Sequence, residues 1–300
     1  MPPPLHTPYD GSARPFQIGL KPLDPDTWID VDGRLGEYLD EKARLRGSHR
    51  DEVFVAEAGT EAAQGEVLAM LVEHLPRRFP EIYQRRGTEM EIIPLRRAVP
   101  LAEAGLAPLQ VAASLVQEDL VLLRRSENGW RLVAAALDFP SSWSLRAKFG
   151  RPMHEVHGPV PGFGVGTRNA AMIERMFDHL RVEMPVIRWN WSLFGDERLF
   201  HPEGGHPDQP RFGVDGESVY LRVERQTLRK LPVSGDILFT IRISVDPLAA
   251  LTQHAEAATI ATALIEQLEA LSPEQVRYKG LRHDREALVA RLSAMAGRAQ

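Results

Sequence analysis

A chain of 300 residues with 43% hydrophobic and 26% charged content can bury a substantial core, and it has the balance of a soluble globular protein. Its net charge of −5 supplies no basic field for nucleic acid or an anionic membrane surface. The absence of cysteine rules out disulfides, a thiol nucleophile, thiolate zinc sites and a cysteine-held iron–sulfur cluster within this chain. No apolar run is long enough to span a bilayer, and M-P-P-P-L-H-T-P-Y-D-G lacks the regions of a secretory signal, so a cytoplasmic location is expected. There is neither a Gly-rich dinucleotide fingerprint nor a Walker A loop, so any redox chemistry would draw its electrons from another chain.

Residues 1–15 are Pro-rich and read as a flexible arm, leaving 16–300 as one elaborated domain without a convincing linker. Residues 35–46 are helix-like. From Glu61 the apolar positions Val67, Leu68, Leu71, Val72 and Leu75 share one helical face, and Pro76 is expected to stop that helix. Phe79, Pro80 and Tyr83 read as a packed corner. Asp119–Leu123 and Trp130–Phe139 flank R-S-E-N-G, whose Asn-Gly accepts positive φ, and predict an antiparallel hairpin. Pro140–Trp143 ends it and precedes a short helix over Leu145–Phe149. Residues 150–163 (G-R-P-M-H-E-V-H-G-P-V-P-G-F) are expected to be a stiff, extended, non-helical loop, because Pro152, Pro159 and Pro161 restrict themselves and their predecessors.

Residues 167–181 predict a helix with Ala171, Ile173, Met176, Phe177 and Leu180 apolar. Val186–Leu193 alternates as a strand. Residues 201–216 read as a loop whose His201 and His206 are solvated. Ser218–Leu228 and Asp236–Val245 alternate as two further strands, and helices are expected over about 248–270 and 284–298. Helices, then about five strands with an interposed helical layer, then helices define an α+β fold with an antiparallel sheet.

Three constellations carry potential chemistry. His154 and His157 sit on the Pro-bounded stretch, where a neutral imidazole can ligate iron, zinc or copper and a single histidine can hold a haem. The order H-E-V-H is not the zincin H-E-x-x-H, and the residues alone leave open an ordinary tight connection. His157, inside the denser Pro/Gly cage, is the better ligand candidate, with His154 as the alternative. Glu224, mid-strand on a polar face, can back a ligating imidazole as hydrogen-bond acceptor, or can simply pair with neighbouring arginines. Arg188 and Asn190 alternate with Trp189 and Trp191; these residues can line a flat cofactor and pair its carboxylates, with Lys148 and Arg151 also placed to pair anionic groups near the loop, or they can be core and surface. Glu118 and Asp119 are expected only to cap or pair locally.

Several long strings occur in a fixed order: Q-E-D-L-V-L-L at 117–123, F-P-S-S-W-S-L-R-A-K-F-G at 139–150, H-G-P-V-P-G at 157–162, R-W-N-W-S-L at 188–193, L-R-V-E-R-Q-T-L-R-K-L-P at 221–232 and S-G-D-I-L-F-T-I-R at 234–242. Together, from about Phe16 to Tyr278, they resemble the haem-dependent oxidative N-demethylase family, the haem subunit of dimethylamine monooxygenase-like proteins. The resemblance implies a PAS-like α+β fold holding haem b. It implies His157 as axial ligand, Glu224 as its hydrogen-bond partner, and Lys148, Arg188 or Arg222 as partners of the haem propionates. It also implies oxidative N-demethylation of a dimethylamine-like secondary amine. The electrons would come from NADPH through flavin and an iron–sulfur cluster on partner reductase subunits. A PAS-like haem sensor without turnover is the alternative, since fold does not fix function.

Overall fold

The computed structural model describes residues 2–203, 211–212 and 218–297. In chain order the main elements are β1 (Lys21–Pro22), α1 (Leu35–Ser48), α2 (Arg50–Val53), β2 (Phe54–Ala56), α3 (Glu61–Arg78), β3 (Tyr83–Arg86), β4 (Glu89–Ile92), β5 (Arg97–Pro100) and α4 (Pro108–Ala113). The middle of the chain supplies β6 (Asp119–Ser126), β7 (Gly129–Ala136), α5 (Leu145–Lys148), α6 (Met153–Val156), α7 (Arg168–Asp178) and β8 (Val186–Phe194). It continues with β9 (Tyr220–Lys230), β10 (Ile237–Pro247), α8 (Ala257–Glu269), α9 (Pro273–Tyr278) and α10 (Arg285–Gly297).

The large sheet has the order β1-β8-β9-β10-β6-β7-β2, and every pairing in it is antiparallel. Side-chain alternation gives it two covered faces. One face packs its β6–β7 end on α3 and α4 through Leu120, Leu122, Leu238, Val67, Leu71 and Leu109. The β8–β9 end of that face packs Trp191, Leu193, Leu221 and Val223 on Leu264, Leu268 and Leu292 of α8 and α10. The opposite face puts Val121, Leu123, Ile237, Ile241 and Ile243 against Leu145, Met153, Val156, Ile173 and Phe177 of α5, α6 and α7. This second face holds the candidate site.

Several expectations need correction. α3 runs through Pro76 to Arg78 and is capped by Phe79, whose N–H bonds the Leu75 carbonyl at 2.9 Å. A proline in a final turn forfeits only one backbone bond and need not end the helix. The corner at Phe79–Tyr83 is the start of a three-stranded sheet, β3-β4-β5, that buries Tyr83, Met90 and Ile92. Its strands are four residues each, too short to carry a clear alternation signal. Residues 150–163 are not extended throughout, because α6 makes one helical turn directly after Pro152, which stands at its N-cap. Proline is compatible with a helix start, since the missing N–H would be unpaired there anyway. In α7 the buried positions are Ala170, Ile173 and Phe177, and Ala171 is exposed.

Glu118 and Asp119 are fully buried and bond far from their own segment. Glu118 accepts from the Asp30 N–H (2.8 Å), and Asp119 accepts from the N–H groups of Asp138 (2.8 Å) and Phe139 (3.1 Å). The N-terminal segment is anchored by Tyr9, which is fully buried, meets Trp191 edge-on and offers its carbonyl to Gln267 at 2.7 Å. Among the described residues, no helix is long and apolar enough to cross a membrane.

Gly129 closes the β6–β7 hairpin with φ +98°, and a Cβ there would meet the Glu174 carboxylate at 2.9 Å. The next residue, Trp130, ties the hairpin to α7: its Nε1–H donates to Asp178 (2.9 Å) and its ring meets Phe177 edge-on. Trp130→Ala is expected to cost about 3–5 kcal/mol in urea denaturation. Trp130→Phe, which forfeits only the Asp178 bond and part of the ring, is expected to cost about 1 kcal/mol.

Candidate functional site

The candidate residues lie on the β8–β9 ladder, in α5 and at the end of α6. The register pairs Arg188 with Gln226, Asn190 with Glu224 and Ser192 with Arg222, so these side chains share one sheet face. Sequence alternation reads this as a polar face, yet it is covered: Arg222, Glu224 and Gln226 are all buried. Gln226 Nε2 donates to Glu224 Oε2 at 2.6 Å, and Asn190 Nδ2 approaches the same oxygen at 3.4 Å. Gln226 Oε1 accepts from Arg188 Nη1 at 2.9 Å, and Arg188 Nη2 donates to the Gln17 carbonyl at 3.2 Å. Arg188 Nε is buried without a partner. Glu224 makes no ion pair within 4.0 Å among the described residues, so its charge is held by amides rather than by a cation.

His157 reaches this neighbourhood from the other side. Segment 150–152 lies along β7, with Gly150 N–H on the Leu132 carbonyl (2.9 Å) and a bridge between Pro152 and Arg131. α6 then presents His157 at its C-terminal cap, its N–H bonded to the Met153 carbonyl (2.9 Å) and its carbonyl to the Val160 N–H (2.8 Å). The imidazole stands edge-on to buried Phe163. Burial pushes the His157 pKa down to about 4, and the charges of Lys148 and Arg188 push the same way. The neutral, lone-pair-bearing form is therefore the form present at pH 7.

Lys148, at the end of α5, lies over the Trp143 ring at 4.3 Å and has no hydrogen-bond or ion-pair partner among the described residues. Burial lowers its pKa to about 8, partly opposed by Glu224. The Arg188 pKa is likewise lowered by burial and raised by Glu224. Lys148 and Arg188 thus act on both His157 and Glu224, which makes one electrostatic neighbourhood of the four. His157 and Glu224 do not hydrogen-bond each other.

Other candidates fall elsewhere. Arg222 is 1% exposed, and its guanidinium bonds Ser141 Oγ (2.9 Å) and the carbonyls of Phe139 (2.9 Å), Pro140 (3.3 Å), Arg198 (3.2 Å) and Leu199 (2.9 Å). It staples two chain segments, and most of its donors are committed to them. Trp191 points to the opposite sheet face, where it is fully buried and donates to Gln267 at 3.3 Å. His154, within α6, is half-buried and makes no interaction with the Glu224 group. His201 is not solvated: its side chain is 12% exposed, lies against Phe194 and is 3.1 Å from Asp196, and burial lowers its pKa to about 4. His206 lies outside the described residues.

Residues that the motifs did not single out also border the site. Lys279 is buried, donates to the Trp191 carbonyl at 2.7 Å and lies over Phe16. Tyr278 packs edge-on against Phe16, and its hydroxyl pKa is raised by burial and by Glu224. Only the three-dimensional closure of the two chain ends onto β8 brings these residues here. Among the described residues, no three His, Asp or Glu side chains gather to hold a bare metal ion. A lone neutral histidine beside two unpaired cations suits a metal whose remaining ligands, and some anionic groups, come with its cofactor.

The fold and site define an α+β protein with a cluster of charged and amide side chains on one covered face of an antiparallel sheet. The chain belongs to the family described as haem-dependent oxidative N-demethylase, alpha subunit-like, whose model matches residues 19–289. The alpha-subunit description is that of a multi-subunit enzyme.

Protonation links the pocket to stability. The His157 pKa is lower in the folded state than the ordinary 6.5, so the unfolded chain binds the extra proton between pH 6.5 and about 4. This contribution is complete above pH 6.5 and is lost as pH falls through that window. Nuclear magnetic resonance of the imidazole is expected to show no titration of His157 from pH 8 to pH 5. In Lys148→Met the midpoint is expected to rise, because one repelling charge is gone.

Proposed function

We propose that this protein is the haem b-bearing subunit of a monooxygenase that removes a methyl group from a dimethylamine-like secondary amine. The observation that carries the reading is the meeting of a neutral, half-buried His157 with the cations Lys148 and Arg188, which make no ion pair among the described residues, around Glu224. His157 would hold the haem iron, with His154 the alternative, and Lys148 and Arg188 would pair its carboxylates. Arg222 stays a structural staple, and Trp191 supports the β8 strand from behind.

When bound, haem b supplies oxygen activation, which side chains alone do not. The chain's own residues hold and tune it. Burial keeps His157 deprotonated and ready to ligate. Glu224 is the proposed acceptor for the imidazole's second N–H; this reading is supported by its Oε1, which has no partner among the described residues. The net reaction takes the N-methyl amine, O2, two electrons and two protons to the demethylated amine, formaldehyde and water. The electrons come from a reductase partner carrying flavin and an iron–sulfur cluster and fed by NADPH, for which this cysteine-free chain has no fingerprint. The finer fold reading, PAS-like, rests on the five long strands: numbered along the chain, they lie in the order 2-1-5-4-3 across the sheet.

The test is formaldehyde release from hemin-loaded protein given a secondary N-methyl amine, O2 and a reductant. Release with one demethylated amine per formaldehyde is expected. Glu224→Gln is expected to keep hemin and to turn over about 10–100-fold more slowly. Reversible CO binding without any formaldehyde from N-methyl amines would overturn the enzyme reading in favour of a sensor.

A further inference from the structure

We propose that Gln226 is a positioning residue that holds Arg188 and Glu224 apart. Both of its amide ends are engaged, oxygen toward Arg188 Nη1 (2.9 Å) and nitrogen toward Glu224 Oε2 (2.6 Å), and only this orientation satisfies both neighbours. Arg188 faces Gln226 across the ladder and Glu224 faces Asn190, so the four side chains form a square with the opposite charges on one diagonal. Glu224 and Gln226 are two residues apart on one strand, and Arg188 and Asn190 two apart on the next, so the backbone register alone sets the square.

An arginine and a glutamate on the diagonal of neighbouring ladder pairs, with the glutamate and the arginine Nε buried, would pair directly if nothing stood between them, because a desolvated bidentate pair is a strong interaction. The intervening amide neutralises part of each charge by hydrogen bonding and occupies the space where they would meet. The consequence is visible in what stays unbonded: Arg188 Nε has no partner, and Glu224 Oε1 accepts from no described residue. Gln226 therefore preserves one donor and one acceptor for a guest in the pocket. This inference rests on the haem-pocket reading for its use, but not for its geometry.

The experiment compares Gln226→Leu, Glu224→Gln and the double variant by hemin titration at the Soret band, by thermal melting, and by a crystal structure of hemin-free Gln226→Leu. Gln226→Leu is expected to weaken hemin binding about tenfold or more, and to weaken it no further once Glu224 is already Gln. A residue that merely supported the fold would lower melting and hemin affinity alike in both backgrounds, and that result would overturn the proposal. Unchanged hemin affinity in Gln226→Leu would overturn it too. If even the parent protein binds no hemin, the haem reading fails by itself, and the crystal structure decides. A new Arg188–Glu224 ion pair within 4 Å upholds the spacer role, while side chains left where they are refute it.

Discussion

The pairing of β8 with β9 is the constraint on which the site depends. One register places Arg188 opposite Gln226 and Asn190 opposite Glu224. A slip of β8 by one residue would turn Arg188 and Asn190 to the α8–α10 side and bring Trp189 and Trp191 to the face that carries Glu224 and Gln226. That slip is blocked from both faces. Trp191, Leu193, Leu221 and Val223 are locked into the helical core on one side, and Arg222 staples Phe139, Pro140 and Leu199 on the other. The hydrophobic pattern that folds the chain also aims the polar chemistry.

Burial then gives those polar groups their properties. In water, Lys148 and Arg188 would be two more surface cations and His157 an imidazole half-protonated near pH 6.5. In the fold the same groups are desolvated, so His157 is neutral at pH 7 and Lys148 falls to about 8. Glu224 is the countercharge, and its hydrogen bonds among the described residues are to the amides of Asn190 and Gln226. A buried polar cluster left partly unbonded is costly unless something completes it. The open donors and acceptor match a cofactor that brings both a metal and carboxylates, in keeping with the family to which the chain belongs.

Much of this was legible in the sequence, for identifiable reasons. The period-2 runs at 186–193, 218–228 and 236–245 announce β8, β9 and β10, and Asn-Gly announces the β6–β7 hairpin. His157, Glu224, Arg188 and Lys148 were all candidates, and the structure gathers them in one neighbourhood. What alternation cannot show is what covers a face. The Arg222–Glu224–Gln226 row looks solvent-facing along the strand and is buried, with Arg222 enclosed by the carbonyls of Phe139, Pro140 and Leu199. Equally, Arg222 reads as an available cation until its carbonyl partners are seen, and nothing local marks Tyr278 or Lys279 as neighbours of Glu224. The small β3–β5 sheet escaped notice because four-residue strands carry too few side chains for a pattern to form.

The central claim is that His157 is the ligand of a haem held in this pocket. The most direct measurement is the absorption spectrum of the hemin-loaded protein, ferric, dithionite-reduced and reduced with CO, compared among the parent chain, His157→Ala and His154→Ala. The account predicts a Soret band that shifts on reduction and again with CO in the parent and in His154→Ala, and its loss or complete alteration in His157→Ala. A spectrum unchanged by His157→Ala in every state would contradict it.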